Sequence, residues 1–184
     1  MTGVGEGVGQ TVVLISGSTR VGSTNTAALA SLHADPPAGV TTVLYDGLAR
    51  LPAFVPGDDA APEAVAALLD LVRDADAVLI CSPEYAGELP GAFKNLLDWT
   101  VGGGELYGKR VAWLTVAPEG RGEGAVASLR RVLGYVGADI VEEACMRVPV
   151  GRESVDDAGN VTDPVLRAHL GEVLARLAAA VTRG

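Results

Sequence analysis

The chain alternates between short apolar runs and longer segments with helical spacing of apolar residues, and this alternation constrains its fold most. Five runs predict strands, over residues 11–16, 41–45, 76–82, 110–116 and 138–145. Five segments predict helices, over residues 25–33, 63–73, 91–101, 125–136 and 164–181. Strands that alternate with helices form a parallel sheet covered on both faces. The sequence therefore predicts an α/β protein.

The length of the chain and its first ten residues bear on domain organisation. A chain of 184 residues fits a single domain of ordinary size. Residues 1–10 are rich in glycine but precede the first predicted strand, whereas the glycines of the dinucleotide fingerprint follow a strand. We expect a flexible N-terminal tail over residues 1–10 and one domain over residues 11–184.

Charge and composition exclude several classes of function. The net charge of −9 argues against non-specific binding to nucleic acid or to an anionic membrane. No apolar run reaches the roughly 18–20 residues of a membrane span, and the first residues do not resemble a signal peptide. Two cysteines are too few for a disulfide framework or a four-cysteine zinc site, and with His33 and His169 added no metal-ligand spacing appears. We expect a cytoplasmic protein with no metal, nucleic-acid or membrane partner.

The loop after the first predicted strand, residues 17–26 (GSTRVGSTNT, the first loop), is rich in hydrogen-bond donors and leads directly into a helix. A helix N-terminus favours an anion through its dipole and its unpaired amides. The loop lacks the GxxxxGK[ST] and GxGxxG patterns. It predicts a phosphate-binding loop, and the alternative is an ordinary polar turn that caps the helix. The candidate donors are Ser18, Arg20, Ser23, Asn25 and Thr26.

Two further loops follow predicted strands and would meet the first loop if the strand order is 2-1-3-4-5, because ligands bind beyond the carboxyl ends of parallel strands. The third loop, residues 82–90 (SPEYAGELP), offers an aromatic ring at Tyr85 beside exposed amides, which suits the edge of a planar heterocycle. The fourth loop, residues 117–124 (APEGRGEG), has three glycines that allow close approach to a ligand. The alternatives are a rigid surface turn and a mobile surface loop.

Two motifs in these loops resemble those of a known family. GSTRVGSTNTAAL resembles the GSxRxxSxN phosphate loop of the NADPH-dependent FMN reductase family, and PEYAGELPGAFKNLLDW resembles the family's second pattern, PEYNGxxPGxxKNxxDW. The motifs stand in the family's order, each after the expected strand. The resemblance implies a flavodoxin-like three-layer sandwich with a five-stranded parallel sheet of order 2-1-3-4-5. It also implies bound FMN, with NAD(P)H as co-substrate.

The same resemblance assigns roles to particular residues. It implies that Ser18, Arg20, Ser23 and Asn25, with Thr26 as a weaker candidate, hold the FMN phosphate. Residues of the third loop would flank the ribityl chain and the isoalloxazine, mostly through main-chain groups: Pro83, Glu84, Tyr85, Ala86 and Gly87. The fourth loop would approach the flavin from the other side, around Ala117 and Gly120.

The chain departs from the second pattern at Ala86, where the family commonly has Asn, so a side-chain hydrogen bond at that position is lost. In the helix that follows, Lys94 and Asp98 are four residues apart and can pair on one face. Trp99 is expected in the core or in a subunit interface. Members of the family associate through this region, which implies a homodimer or homotetramer.

The implied reaction is hydride transfer from NAD(P)H to flavin N5, followed by reduction of a small-molecule acceptor. That acceptor is a quinone, an azo compound, a metal oxyanion or free flavin. The cofactor carries the chemistry, so no catalytic side chain is predicted. NADH and NADPH remain alternatives, and Arg121 and Arg152 are candidates for meeting the extra phosphate of NADPH.

Two other classes of function remain as alternatives. The first is a flavodoxin-like electron-transfer protein without NAD(P)H oxidase activity, which the acidic charge would suit. The second is a hydrolase with Ser18 or Ser82 as nucleophile, although neither lies in a GxSxG elbow. Cys81 ends a predicted strand near the flavin, as either a buried apolar residue or a redox-sensitive thiol.

Overall fold

The computed structural model of the protein describes residues 9–57 and 61–182. The strands are β1 Gln10–Ser16, β2 Val40–Tyr45, β3 Ala77–Cys81, β4 Arg110–Thr115, β5 Asp139–Ile140 and β6 Met146–Arg147. The helices are α1 Thr24–Ala34, α2 Glu63–Asp74, α3 Gly91–Trp99, α4 Glu123–Tyr135 and α5 Pro164–Thr182. Residues 1–8 of the predicted tail lie outside the described ranges, and β1 begins at Gln10.

The strands form one parallel sheet. The order is β2-β1-β3-β4-β5, and β6 also pairs with β4. In the centre of the sheet Leu14 lies opposite Leu44 on β2 and Leu79 on β3. The predicted α/β class and the strand order 2-1-3-4-5 are confirmed.

Both faces of the sheet are covered, because successive side chains of a strand point to opposite faces. Val12 and Leu14 pack in the core layer that α1 and α5 cover. Val13 and Ile15 pack in the opposite layer, beneath α2, α3 and α4. β3 is buried along its whole length, as expected for a central strand of a sheet covered on both sides. The three-layer arrangement leaves the loops at the carboxyl edge of the sheet free to build a site.

The predicted fifth strand, over residues 138–145, is wrong as a single element. It is divided into β5 and β6 by a short 3-10 turn, Glu142–Ala144. Val141 and Ala144 are both buried, whereas Glu142 and the residue after it are exposed. Burial at a spacing of three residues requires a turn, since a strand would bury every second residue. After the turn, β6 returns to the sheet beside the carboxyl end of β4, with Arg147 opposite Thr115.

Gly137 determines where helix α4 ends. Gly137 has a φ of +71°, a conformation that glycine adopts without steric cost. The N–H of Ala138 donates to the carbonyl of Leu133 at 3.0 Å, and the N–H of Gly137 donates to that of Gly134 at 3.3 Å. These two bonds form a Schellman motif, so the prediction that Gly137 ends this helix is confirmed.

Among the described residues, no helix is both long enough and apolar enough to cross a membrane.

Candidate functional site

The loops after β1, β3 and β4 meet at the carboxyl edge of the sheet and surround a cavity of about 470 Å³, the main cavity. A volume of this size is typical of small-molecule sites, which occupy roughly 300–1,000 Å³. Eleven residues line it: Thr24, Asn25, Ser82, Pro83, Glu84, Val116, Ala117, Pro118, Arg121, Gly122 and Val150. The cavity therefore lies where the topology of an open parallel sheet places ligands.

The structure divides the twelve predicted site residues between two cavities and the surrounding surface. Four of them line the main cavity: Asn25, Pro83, Glu84 and Ala117. Three line a second cavity of about 220 Å³ on the β2 side of the first loop: Ser18, Arg20 and Thr26. Five line neither cavity: Ser23, Tyr85, Ala86, Gly87 and Gly120. The first loop and the first turn of α1 thus contribute to both cavities.

The first and third loops are in direct contact through a glycine. The N–H of Gly17 donates to the carbonyl of Cys81 at 2.9 Å, which extends the pairing of β1 with β3. A Cβ atom at Gly17 would lie 2.2 Å from Ser82 Oγ and 3.0 Å from its Cα. Any side chain at position 17 would therefore push these two loops apart.

The first turn of α1 presents unpaired amides. Ser23 is the N-cap residue, it is buried, and its carbonyl accepts from the N–H of Ala27 at 2.9 Å. The amides of Thr24, Asn25 and Thr26 precede that first helical bond and have no main-chain acceptor among the described residues. Because these amides coincide with the positive end of the helix dipole, the turn is suited to bind an anion.

Asn25 is held by a buried thiol. The Cys81 Sγ–H donates to Asn25 Oδ1 at 3.3 Å, and both residues are buried. Burial raises the pKa of the Cys81 thiol far above its usual range, so the group stays protonated and acts as a donor. The thiol therefore fixes the orientation of the Asn25 amide at the edge of the main cavity.

The tip of the third loop is a tight two-residue turn. Tyr85 and Glu88 exchange two main-chain hydrogen bonds, each of 3.0 Å. The two residues between them have positive φ angles, +53° at Ala86 and +78° at Gly87. Such a pair of left-handed residues defines a type I′ turn. Tyr85, which precedes the turn, is exposed.

Glu84 lines the main cavity, but its carboxylate also bonds to the protein. Its Oε2 accepts a hydrogen bond of 3.1 Å from the N–H of Ala125, in the first turn of α4. The third loop also touches α4 through main chain, because a Cβ atom at Gly124 would lie 2.0 Å from the carbonyl oxygen of Gly87. Glu84 therefore joins the third loop to the helix that follows the fourth loop.

Sequence reasoning missed several residues that form the site. Thr24 and Val150 line the main cavity without having been selected, and Ser82 and Arg121 line it although they were considered only as a nucleophile and for NADPH. Thr24, Ser82 and Arg121 lie inside loops that were already chosen, so including every residue of those loops would have found them. Val150 comes from the segment after β6, where its N–H donates to the carbonyl of Val116.

Arg152, the other candidate for the NADPH phosphate, lies on an exposed 3-10 turn, Arg152–Ser154, and lines neither cavity. Within residues 9–57 and 61–182, no group of three or more His, Cys, Asp or Glu side chains is arranged to hold a metal ion.

These features together define a class. A parallel sheet of order 2-1-3-4-5, with an anion-binding turn after β1 and a cavity between the loops after β1, β3 and β4, is the arrangement of a flavodoxin-like mononucleotide-binding protein. The family is then given by comparison. The model of the family described as NADPH-dependent FMN reductase matches residues 10–151, and the chain belongs to that family.

Individual relatives agree with this assignment. A probable NADPH:quinone oxidoreductase of Oryza sativa is 29% identical over 180 residues, covering 94% of this chain and 89% of the relative. An NAD(P)H-dependent FMN reductase of Pseudomonas aeruginosa is 29% identical over 171 residues, covering 90% and 92%. A solved flavoenzyme NAD(P)H:(acceptor) oxidoreductase of Paracoccus denitrificans superposes with a TM-score of 0.75 at 27% identity, covering 95% and 98%.

The chain is therefore an FMN-dependent NAD(P)H oxidoreductase with a flavodoxin-like fold. The predictions of the family, the FMN cofactor and the NAD(P)H co-substrate are confirmed. The alternatives of a hydrolase and of an electron-transfer protein without its own NAD(P)H oxidase activity do not agree with this family.

Proposed function

We propose that this chain oxidises NAD(P)H through FMN and reduces a quinone, with the isoalloxazine in the main cavity and the phosphate at the first turn of α1. One observation supports this proposal above all. The three loops at the carboxyl edge of the sheet form a cavity of about 470 Å³ directly beside unpaired helix amides. The quinone follows from the name of the Oryza sativa relative, whose alignment covers most of both chains.

The lining of the main cavity suits a neutral planar ring. Its charged members are Glu84, whose carboxylate is engaged by α4, and the exposed Arg121. The remaining lining residues are small, apolar or neutral. When bound, FMN accepts a hydride and returns two electrons to an acceptor. The chain's own task is to bind the ring, orient it and keep one face open to both substrates.

The first loop suits a phosphate. It supplies the amides of the first turn of α1, the hydroxyls of Ser18 and Ser23, and the exposed guanidinium of Arg20. A phosphate is well matched to such a set, because hydrogen bonds to an anion are shorter and stronger than neutral ones. The hydroxyl of Thr26 shares a hydrogen bond of 2.8 Å with Ser16, so Thr26 is the weaker ligand.

The enzymatic proposal is tested with the purified chain and two measurements. Quenching of flavin fluorescence during titration gives the Kd for FMN, and the absorbance of the reduced nicotinamide gives the rate with NADH or NADPH and benzoquinone. We expect saturable FMN binding and quinone-dependent oxidation. Binding without oxidation would instead indicate an electron-transfer protein, and absence of saturable binding would remove the cofactor from the proposal.

The phosphate site is tested by comparing FMN with riboflavin, which lacks the phosphate. We expect Arg20→Met and Ser23→Ala each to weaken FMN binding by about tenfold, which corresponds to one charge-assisted hydrogen bond. Riboflavin binding should not change. Arg167→Met is the matched control, because it also removes one guanidinium but on α5, where Arg167 pairs with Asp35. Equal losses for FMN and riboflavin would place the phosphate elsewhere.

We also propose a homodimer formed by one apolar surface. Phe54, Val101, Val132, Tyr135 and Val136 line a groove of about 470 Å³ along α3 and α4, together with Lys94, Asp98, Gly102 and Arg131. Three of its large side chains are exposed, Phe54 by 37%, Val101 by 47% and Tyr135 by 87%. Apolar patches of this kind mark interaction sites. A second copy of this chain is the occupant that the family resemblance favours.

Location, partners and domain organisation complete the proposal. The two cysteines form no disulfide in the structure, which agrees with a reducing cytoplasm, where NAD(P)H is also the source of hydride. The net charge of −9 favours small-molecule partners over nucleic acid or an anionic membrane. Because one sheet and its two core layers extend from β1 to α5, we propose a single FMN-binding domain over residues 11–184.

A further inference from the structure

We propose that Arg147, on β6, is a positioning residue for the FMN site, because its guanidinium holds the fourth loop in the form that lines the main cavity. This inference rests on the proposed function. The Nη1 atom of Arg147 lies 2.8 Å from each of three main-chain carbonyl oxygens, those of Ala117, Pro118 and Arg121. Its Nη2 atom donates to Glu123 Oε1 at 3.0 Å.

Arg147 reaches the fourth loop because of the interrupted fifth strand. β6 pairs with the end of β4, which places Arg147 opposite Thr115. The chain then continues alongside the fourth loop, with the N–H of Val148 bonded to Thr115 at 2.9 Å and that of Val150 bonded to Val116 at 3.0 Å. If the register of β5 with β4 continued in a regular strand, Ala144 rather than Arg147 would lie opposite Thr115. The turn before β6 therefore places the Arg147 guanidinium within hydrogen-bonding distance of the fourth loop.

Residues 117–121 of the loop have few hydrogen bonds of their own. Among the described residues, one main-chain hydrogen bond lies within residues 117–121, from Arg121 N–H to the Pro118 carbonyl at 3.2 Å. Gly120 and Gly122 have φ angles of +76° and +87°, so the loop includes two residues with high conformational freedom. Ordering such a backbone costs conformational entropy. Contacts from outside the loop are needed to offset that cost, and Arg147 supplies three of them.

The same residues face the site. Ala117, Pro118 and Arg121, whose carbonyls Arg147 binds, all line the main cavity. Their carbonyl oxygens accept from the Arg147 guanidinium. The positive charge of that group offsets the partial negative charge of these oxygens before a ligand binds. The Arg147 side chain is 28% exposed, so its hydrogen bonds are partly shielded from water. Arg147 thus acts on the cavity through the loop and does not line the cavity itself.

A guanidinium is specifically suited to this task. It carries several N–H donors in a rigid planar arrangement, whereas an ammonium group is a single point of charge on a flexible stem. The Nη1 atom of Arg147 donates to the main-chain carbonyls, and its Nη2 atom donates to the Glu123 carboxylate. A lysine at this position would retain the charge but not both sets of contacts. We therefore expect Arg147→Lys to rescue only part of the function that Arg147→Met loses.

The experiment separates loop order from cofactor binding. Amide hydrogen exchange of the apoprotein reports the order of residues 117–122, and fluorescence titration reports the Kd for FMN. We expect Arg147→Met to accelerate exchange in this loop and to raise the Kd by about tenfold, as for a residue that supports a binding shell. Arg147→Lys should give intermediate values for both.

The control has matched chemistry. Arg176→Met removes another guanidinium that bonds a main-chain carbonyl, that of Glu143 at 3.0 Å, but on α5. This variant should bind FMN like the unaltered protein. If Arg147→Met does not accelerate exchange in the loop, or leaves the Kd for FMN unchanged while the loop exchanges faster, the inference is overturned. If the unaltered protein does not bind FMN, the proposed function fails first and this inference with it.

Discussion

The carboxylate of Glu84 accepts a hydrogen bond from the backbone N–H of Ala125 at 3.1 Å, and this contact joins two loops that border the same cavity. The acceptor comes from the third loop, and the donor lies in the first turn of α4. A carboxylate at a helix N-terminus both satisfies an unpaired amide and interacts favourably with the helix dipole. Glu84 thus fixes the distance between the tyrosine-bearing turn and the fourth loop.

The first prediction concerns Gly124, which permits that contact. Gly124→Ala places a Cβ atom 2.0 Å from the Gly87 carbonyl oxygen, so the third loop and α4 must separate. We expect this change to raise the Kd for FMN by about tenfold. The control is Gly134→Ala on the same helix, where a Cβ atom meets nothing within 4 Å. That variant should bind FMN normally and gain about 0.5–1 kcal/mol in the free energy of unfolding. Equal FMN affinity in both variants would contradict the argument.

Glu84→Ala provides an independent measurement of the same contact. Loss of a capping acceptor lowers the free energy of unfolding by about 0.5–2 kcal/mol. Urea denaturation of the apoprotein measures this change without reference to the cofactor. A free energy of unfolding equal to that of the unaltered protein would mean that the hydrogen bond contributes no net stability.

The second prediction concerns Ala86, where the family commonly has Asn. Its φ of +53° lies in the left-handed region, which disfavours alanine and which asparagine tolerates far better. We expect Ala86→Asn to raise the free energy of unfolding by about 1 kcal/mol. Ala86→Val should lower it, because a β-branched side chain is strained at positive φ. Thermal denaturation of the three proteins checks the order, and a Val variant as stable as the Asn variant would contradict it.

The turn at Ala86 also shows how far sequence could go. Sequence reasoning treated the missing Asn as a lost side-chain hydrogen bond, whereas the structure gives a backbone reason for Asn at that position. The alternation of strands and helices was predictable because periods of 2 and 3.6 residues are local properties of the sequence. The loops at the site were predictable because they follow strands whose carboxyl ends meet at one edge.

The features that sequence did not predict depend on contacts between distant residues. Arg147 binds carbonyls that lie 26 to 30 positions earlier in the chain, and nothing near Arg147 in the sequence indicates them. Arg20 lines the second cavity, whereas Asn25 lines the main cavity. Which cavity each residue reaches depends on the path of the loop between them, and local sequence patterns do not specify that path. The break after Ile140 was missed because the burial of Val141 and Ala144 depends on the packing of β4 and α5.

The third prediction concerns the two thiols, Cys81 and Cys145, and decides whether either is a redox sensor. Burial raises the pKa of Cys145 to about 11 and that of Cys81 further still. Because the thiolate is the reactive form, both should resist iodoacetamide at pH 8 in the native protein. In denaturant both pKa values return to roughly 8.5, and both thiols should react.

The pH dependence of that reaction has a definite sign. A raised pKa keeps the thiol protonated, so the labelling rate of native Cys145 should increase about tenfold per pH unit from pH 8 towards its pKa. Cys145→Ser leaves Cys81 as the remaining cysteine and should give a native protein that is not labelled over the same range. Rapid labelling of the Cys145→Ser variant at neutral pH would show an accessible Cys81 thiolate and support a sensor role.

The fourth prediction tests the groove along α3 and α4 as a dimer surface. Tyr135 is 87% exposed there, beside Val132 and Val136, so a second copy would remove a large apolar area from water. Tyr135→Glu places a charge in that surface, and we expect sedimentation velocity to show a monomer where the unaltered protein is a dimer. Val165→Glu, an equally drastic change at an exposed residue of α5 on the other side of the sheet, should remain a dimer. A dimer that persists in Tyr135→Glu but dissociates in Val165→Glu would place the interface on α5 instead.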